Sequence, residues 1–230
     1  MKKQFLFAII FLSVAVFVEA QKINRIGLQS GMNLAKMHYV EPAFQDFNTG
    51  INNQINGSFG FFSEAGNSQY FVSSIGIFYQ GKGMLADDYN LRFHHFQIPL
   101  YLNFRIPVAE PVYLLTGFGC YASCAFKAKE ISSGVASENV MSFPKKDEEV
   151  NLPYNPLDFG VLFGGAVEIN LNADKAIKIG CYYDLGIWKV TNSYSEDPEL
   201  LDPFNPGLKS SSLNFSISYM FNLKKDEKAN

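Results

Sequence analysis

Residues 212–223 read "SLNFSISYMFNL", and they alternate without a break. Leu213, Phe215, Ile217, Tyr219, Phe221 and Leu223 fall on one side; Asn214, Ser216, Ser218, Met220 and Asn222 fall on the other. Period two is the signature of a β-strand, whose successive side chains point to opposite faces. An aqueous barrel buries the apolar side of such a strand, whereas a barrel in lipid turns it outward. Which applies is decided by the rest of the chain.

The same pattern recurs upstream in seven further segments. The first, around "RIGLQSGMNLAK", sets Ile26, Leu28, Met32 and Leu34 against Gly27, Gln29, Gly31 and Asn33. "QINGSFGFF" sets Ile55, Gly57, Phe59 and Phe61 against Asn56, Ser58 and Gly60; the Asn56-Gly57 pair is read as strand, because the preceding "NTGINNQ" is too polar to be the opposing arm of a hairpin. "YFVSSIGIFYQ" and "FQIPLYLNFR" follow the rule, with Ile75, Ile77 and Tyr79, then Phe96, Ile98, Leu100, Leu102 and Phe104, on the apolar side. "VYLLTGFGCYASCAF" is apolar on both faces, so its orientation stays open. "DFGVLFGGAVEI" and "IKIGCYYDLGIWK" restore the alternation. Pro99 cannot donate to a ladder, and a bulge or missing hydrogen bond is expected there.

Connections sort by length. "SEAGNSQ", "IPVAEP" and "NLNADKA" are short, while 37–53, 81–92, 127–156 and 189–211 are long. Short turns at one end and long loops at the other describe an all-β, eight-stranded antiparallel up-and-down transmembrane β-barrel, with short periplasmic turns and long extracellular loops. A Greek-key sandwich has no cause to sort its loops this way.

The polar face decides the orientation. A soluble barrel would carry Lys and Glu on it, yet it holds mostly Gly, Ser, Asn and Gln, and the charges concentrate in "FPKKDEEV", "SYSEDPELLDP" and the tail. An eight-stranded lumen is just wide enough for side chains to fill, so small polar residues suit it. A Lys or Arg at the bilayer midplane costs roughly 2–4 kcal/mol. All the strand charges fall on the small-residue side: Arg25, Arg105 and Lys178 against Asp158, Glu168 and Asp184, a structural lumen set in balance. Glu168 and Lys178 flank the "NLNADKA" turn, and an ion pair between them is expected near the periplasmic rim.

The amino-terminal "MKKQFLFAIIFLSVAVFVEAQ" places Lys2 and Lys3 before an apolar run and small residues before Gln21, the pattern of a secretory signal peptide cleaved after Ala20. The expected organisation is signal peptide 1–20, barrel 21–223 and charged tail 224–230. A formal charge of −3 is too small to argue for nucleic acid or for strong electrostatic steering, and no nucleic-acid partner is expected. Cys120 and Cys124 lie four apart in one strand, roughly 13 Å at 3.3 Å per residue, too far for a disulfide.

Little points to catalysis. His94 and His95 are adjacent, so in a strand they face opposite ways and cannot hold one metal together. His38 stands alone in the first long connection, and no nucleophile motif accompanies a base. The expectation is no enzyme, no cofactor and no metal site.

The segments "GLQSGMNLAKM", "GIFYQGKG", "FQIPLYLNF", "VYLLTGFGCYAS", "DFGVLFGGAVEIN" and "YYDLGIWKV" resemble, in order, the successive strands of the PorT-like outer-membrane β-barrel family of Bacteroidota. The likeness implies an eight-stranded barrel in the cell outer membrane. Its partners would be outer-membrane lipid and, during insertion, the barrel-assembly machinery. A component linked to type IX secretion gives the family its name, and a link to that system is the finest role the likeness implies. From the residues, the expected function is a closed, non-porin scaffold, its lumen plugged by Gln97, Tyr101, Tyr182 and Trp188, presenting extracellular loops to a protein partner. The alternative is a secreted or periplasmic soluble barrel that binds a small apolar ligand.

Overall fold

A computed structural model describes residues 23–40, 48–68, 70–86, 89–132, 135–140, 156–188 and 208–223. The expected signal peptide, the charged tail and most of the longest loops lie outside these residues. Nine strands are described: β1 (Ile23–Tyr39), β2 (Gln54–Ser68), β3 (Phe71–Ala86), β4 (Tyr89–Ala109), β5 (Val112–Ser132), β6 (Val135–Val140), β7 (Leu157–Asn170), β8 (Lys175–Gly186) and β9 (Leu208–Asn222). Each of the eight long strands pairs antiparallel with its neighbours, and the ring closes through β1–β9 and β4–β5. The short β6 stands outside the ring, paired to the far end of β5 from Lys127 to Ser132. No helix among the described residues is long and apolar enough to cross a membrane.

The orientation of the quoted stretch is that of a barrel in lipid. Phe215 and Ile217 are exposed at 42% and 56%, while Ser216 and Ser218 are buried. Phe61 and Phe163 likewise point outward, and Gly60, Gly160 and Ala166 inward. The open orientation of β5 resolves through its neighbours: Tyr121 and Ser123 bond to Asp158 in the lumen, which turns Leu114, Phe118 and Cys120 outward. Aromatic rings mark both edges of the apolar belt. Phe71 packs edge-on against Phe104 and Tyr219 against Phe221 at the turn end; Phe96 stacks on Phe126 and Phe159 meets Trp188 at the loop end. Such girdles flank the lipid-facing band of membrane barrels.

Pro99 interrupts pairing without a bulge. The β3–β4 ladder runs to Ile75↔Leu100 and resumes at Phe78↔Gln97 in the same register, leaving Gly76, Ile77, Ile98 and Pro99 without cross-strand partners on that side. The β4–β5 side is continuous there.

Three expectations need correction. The connection placed at 81–92 is no long loop: β3 continues to Ala86 and β4 begins at Tyr89, with residues 87 and 88 between. At the other end, β2 runs through the expected turn to Ser68. The strands outlast the outward-apolar pattern because, past the belt, the pattern inverts. Met37, Met84, Leu91, Phe93 and Leu208 point inward and form a buried cluster with Ile51, Ala125 and Ala128. Their neighbours Lys36, His38, Arg92 and Lys209 take the outward positions. Trp188 is the third correction. It lies beyond the end of β8 against Phe159, an outer-face residue, and does not plug the lumen.

Candidate functional site

The lumen is built by the inward parity of eight strands, and small residues make the room. A Cβ on Gly160 would stand 2.4 Å from the Tyr121 ring, and one on Gly27 2.5 Å from the Phe62 ring. Glycine at these positions lets aromatic rings lie flat across the interior. Phe62, Phe78 and Met220 form one apolar cluster with Ala176, and Leu115, Ala166 and Tyr182 another, so the interior is less uniformly polar than its sequence pattern suggests.

Near the turn end sits the first charged layer. Glu168 Oε1 accepts from Arg25 Nη1 at 2.9 Å and from Arg105 Nη2 at 2.5 Å. Lys178 Nζ donates to Glu64 Oε1, while Arg25 also lies 3.6 Å from Glu64 Oε2. The Arg105 guanidinium stacks 3.7 Å over Tyr113. Both carboxylates are fully buried, but the two arginines keep 11% and 12% exposure at the mouth.

Midway, Asp184 is held by neutral donors. Gln80 Nε2 and Gln97 Nε2 reach its Oδ2 at 3.3 Å and 3.2 Å, and Gln80 also donates to Asn214 Oδ1 at 2.8 Å.

A second charged layer lies toward the loop end. Asp158 Oδ2 accepts from Lys82 Nζ at 2.9 Å, Tyr121 Oη at 3.0 Å and Ser210 Oγ at 2.9 Å. Lys82 also rests 4.0 Å from the centre of the Tyr121 ring. The apolar cluster around Phe93 and Met37 closes the barrel beyond it.

All six predicted lumen charges therefore face inward, but their partners differ from expectation. Glu168 and Lys178 are direct register partners, yet no ion pair joins them. Glu168 reaches across the lumen to the two arginines, and Lys178 reaches to Glu64. In so narrow a barrel, side chains on distant strands at the same height approach as closely as cross-strand neighbours, and a guanidinium with five donors outcompetes an ammonium for a shared carboxylate. The sequence reading missed Glu64 and Lys82. Counting by twos past Phe61 and Gln80 would have placed both inside; the count stopped where large apolar residues began to turn inward.

Among the described residues, two cavities of about 30 Å3 each lie in the lumen. Each has room for roughly one or two waters. One touches Glu64 and Lys178, the other Asp184 and Asn214, and Gln29, Phe78, Pro99, Tyr101 and Tyr182 border both. Neither cavity is large enough for a small apolar ligand.

Neither histidine builds a reaction centre. His94 Nδ1 lies 2.6 Å from Tyr79 Oη on the outer wall, whereas His95 is buried with its Nδ1 3.4 Å from Ser123 Oγ. They face opposite ways, as adjacent strand residues must. Among the described residues no carboxylate bonds to His95, whose Nε2 has no hydrogen-bond partner, and both Ser123 and His95 are buried. Among the described residues, no group of three or more His, Cys, Asp or Glu could hold a metal ion. Cys120, Cys124 and Cys181 are all free thiols.

Fold and lumen together define a class: the small, closed, eight-stranded up-and-down barrel. By sequence, no protein-family model and no curated protein matches this chain. By structure, neisserial surface protein A (NspA) is similar with a TM-score of 0.50 and 12% identity, over 86% of this chain and 97% of that one. The outer membrane protein OprG from Pseudomonas aeruginosa gives a TM-score of 0.45 and 9% identity over 89% of this chain and 98% of that one. Ail, the attachment invasion locus protein of Yersinia pestis, gives 0.42 and 12% over 87% and 100%. At 12% identity the likeness to NspA shows a shared fold and nothing further.

Proposed function

We propose that this protein is a small outer-membrane β-barrel with a sealed lumen, a scaffold that presents its loop end to an extracellular protein partner. The observation that carries this reading is the plug itself. Two charged layers, bridged by glutamine and tyrosine and capped by the Phe93 cluster, occupy the passage a porin would leave open. The apolar belt and its aromatic edges favour insertion by strands, and rigid barrels with long connections commonly carry recognition on those connections. Lipid would be the constant partner, and the barrel-assembly machinery the transient one.

The test is direct. Folded full-length protein in a planar bilayer is expected to give no stable conductance of porin size, and such a conductance would overturn the closed-lumen reading. Crosslinking in intact cells is expected to trap a partner at the loop end. Deleting residues 141–155 without changing any crosslink would remove that loop from the scaffold role. The finer assignment, a PorT-like protein linked to type IX secretion, is supported only by the likeness of the strand motifs. Loss of secreted cargo on gene deletion is its test.

A further inference from the structure

Just past the belt, the outer wall formed by β1 and β9 is basic. Lys36 and His38 lie two residues apart on β1 and so share its outer face, and Lys209 on β9 is the register partner of His38. Ala35, Met37 and Leu208 point the other way, into the buried cluster. Among the described residues no carboxylate forms an ion pair with Lys36 or Lys209. His38 and Lys209 sit at facing positions of the two strands, and Lys36 lies one step along the same outer face. Partial burial, then Lys209 and Lys36, hold the His38 imidazole below its ordinary value. One step down the same wall the outward positions become Leu34, Ile55 and Leu213, the edge of the belt. Farther down lies an apolar groove of about 430 Å3, lined by Leu28, Phe59, Phe61, Ile177, Ile217 and Tyr219. From its upper end at Ser30 to Lys36 is six residues, roughly 20 Å along a strand, within the reach of an extended acyl chain.

We propose that Lys36 and Lys209, with His38 between them, bind the phosphate of a membrane lipid whose acyl chain lies in the groove below. This rests on the transmembrane reading above. Lysine recognises phosphate as a compact cation, and each cation near a membrane surface adds attraction for anionic headgroups. The belt edge sets the height at which a headgroup sits, and the groove on the same two strands gives its chain a track.

The experiment uses the folded full chain in phosphatidylcholine vesicles containing a minor fraction of phosphatidic acid. Retained lipid is counted by native mass spectrometry, and the His38 ring is followed by NMR. Wild type is expected to retain phosphatidic acid over phosphatidylcholine, with the His38 titration moving upward when that lipid is present. K36Q/K209Q is expected to weaken retention on the order of 20-fold, while K175Q, an exposed turn-end control, leaves it unchanged. Equal retention in K36Q/K209Q, with the heat-dependent gel shift of the folded barrel intact, would overturn the proposal. An equal upward shift of His38 with inorganic phosphate alone would overturn the lipid assignment in favour of a free-anion site. Failure of the wild type to enter any vesicle would sink the transmembrane reading, and the proposal with it.

Discussion

Within one barrel, the belt and the portion that protrudes past it obey opposite rules. In the belt, Ile217 and Phe163 face out while Ser216 and Glu168 face in; past it, Lys36 and Arg92 face out while Met37 and Phe93 face in. The strands continue unbroken from one regime to the other. Only the solvent on the outside has changed, and the side-chain pattern follows it. Where lipid surrounds the wall, polar groups are tolerated inside if they are paired. Where water surrounds it, the inside becomes an ordinary apolar core.

The two charged layers sharpen the same contrast. The turn-end layer has guanidiniums that retain some exposure at the mouth, whereas the Lys82–Asp158 pair is sealed beneath the apolar cap. The largest effect is therefore expected at Lys82. Lys82→Met leaves Asp158 buried without its cation and should cost about 4 kcal/mol, within the range for breaking a buried pair. Denaturant unfolding, read through the single tryptophan Trp188, measures it. The double variant K82M/D158N should recover most of that loss, and no recovery would mean the pair is not the coupling unit.

Next comes the wall. Ile217→Lys puts a cation into the belt and should cost about 3 kcal/mol. Leu85→Lys, on the outer face of β3 past the belt edge and facing Asn90 and Asn52, should stay within about 0.5 kcal/mol. Equal costs at the two positions would erase the distinction between the regimes. Smaller still, Glu168→Gln removes an acceptor shared by Arg25 and Arg105 and should cost about 2 kcal/mol, because both guanidiniums can turn toward water at the mouth. A loss as large as that of K82M would show the mouth to be as dry as the capped layer.

Much of this was legible in the chain. The alternation of Leu213 through Leu223 and its repeats settled strand number and facing, and placed Arg25, Arg105, Asp158, Glu168, Lys178 and Asp184 inside. What escaped has one physical cause. Strand ends were set where the outward-apolar pattern stopped, so the inverted portion read as loop, and Lys82 was lost with it. Glu64 was lost similarly, because Phe62 turns inward and disguises the continuing parity. The orientation of β5 needed its bonds to Asp158. Ion-pair partners could not be read at all, since a narrow lumen joins residues by height and not by register.

The level at which the side-chain pattern reverses, between Leu34 and Lys36 on β1, also serves as a depth gauge. Sinking the barrel by one repeat would drag ammonium groups into oil, and raising it would strand leucine and isoleucine in water. Vertical position is thus encoded in the wall itself.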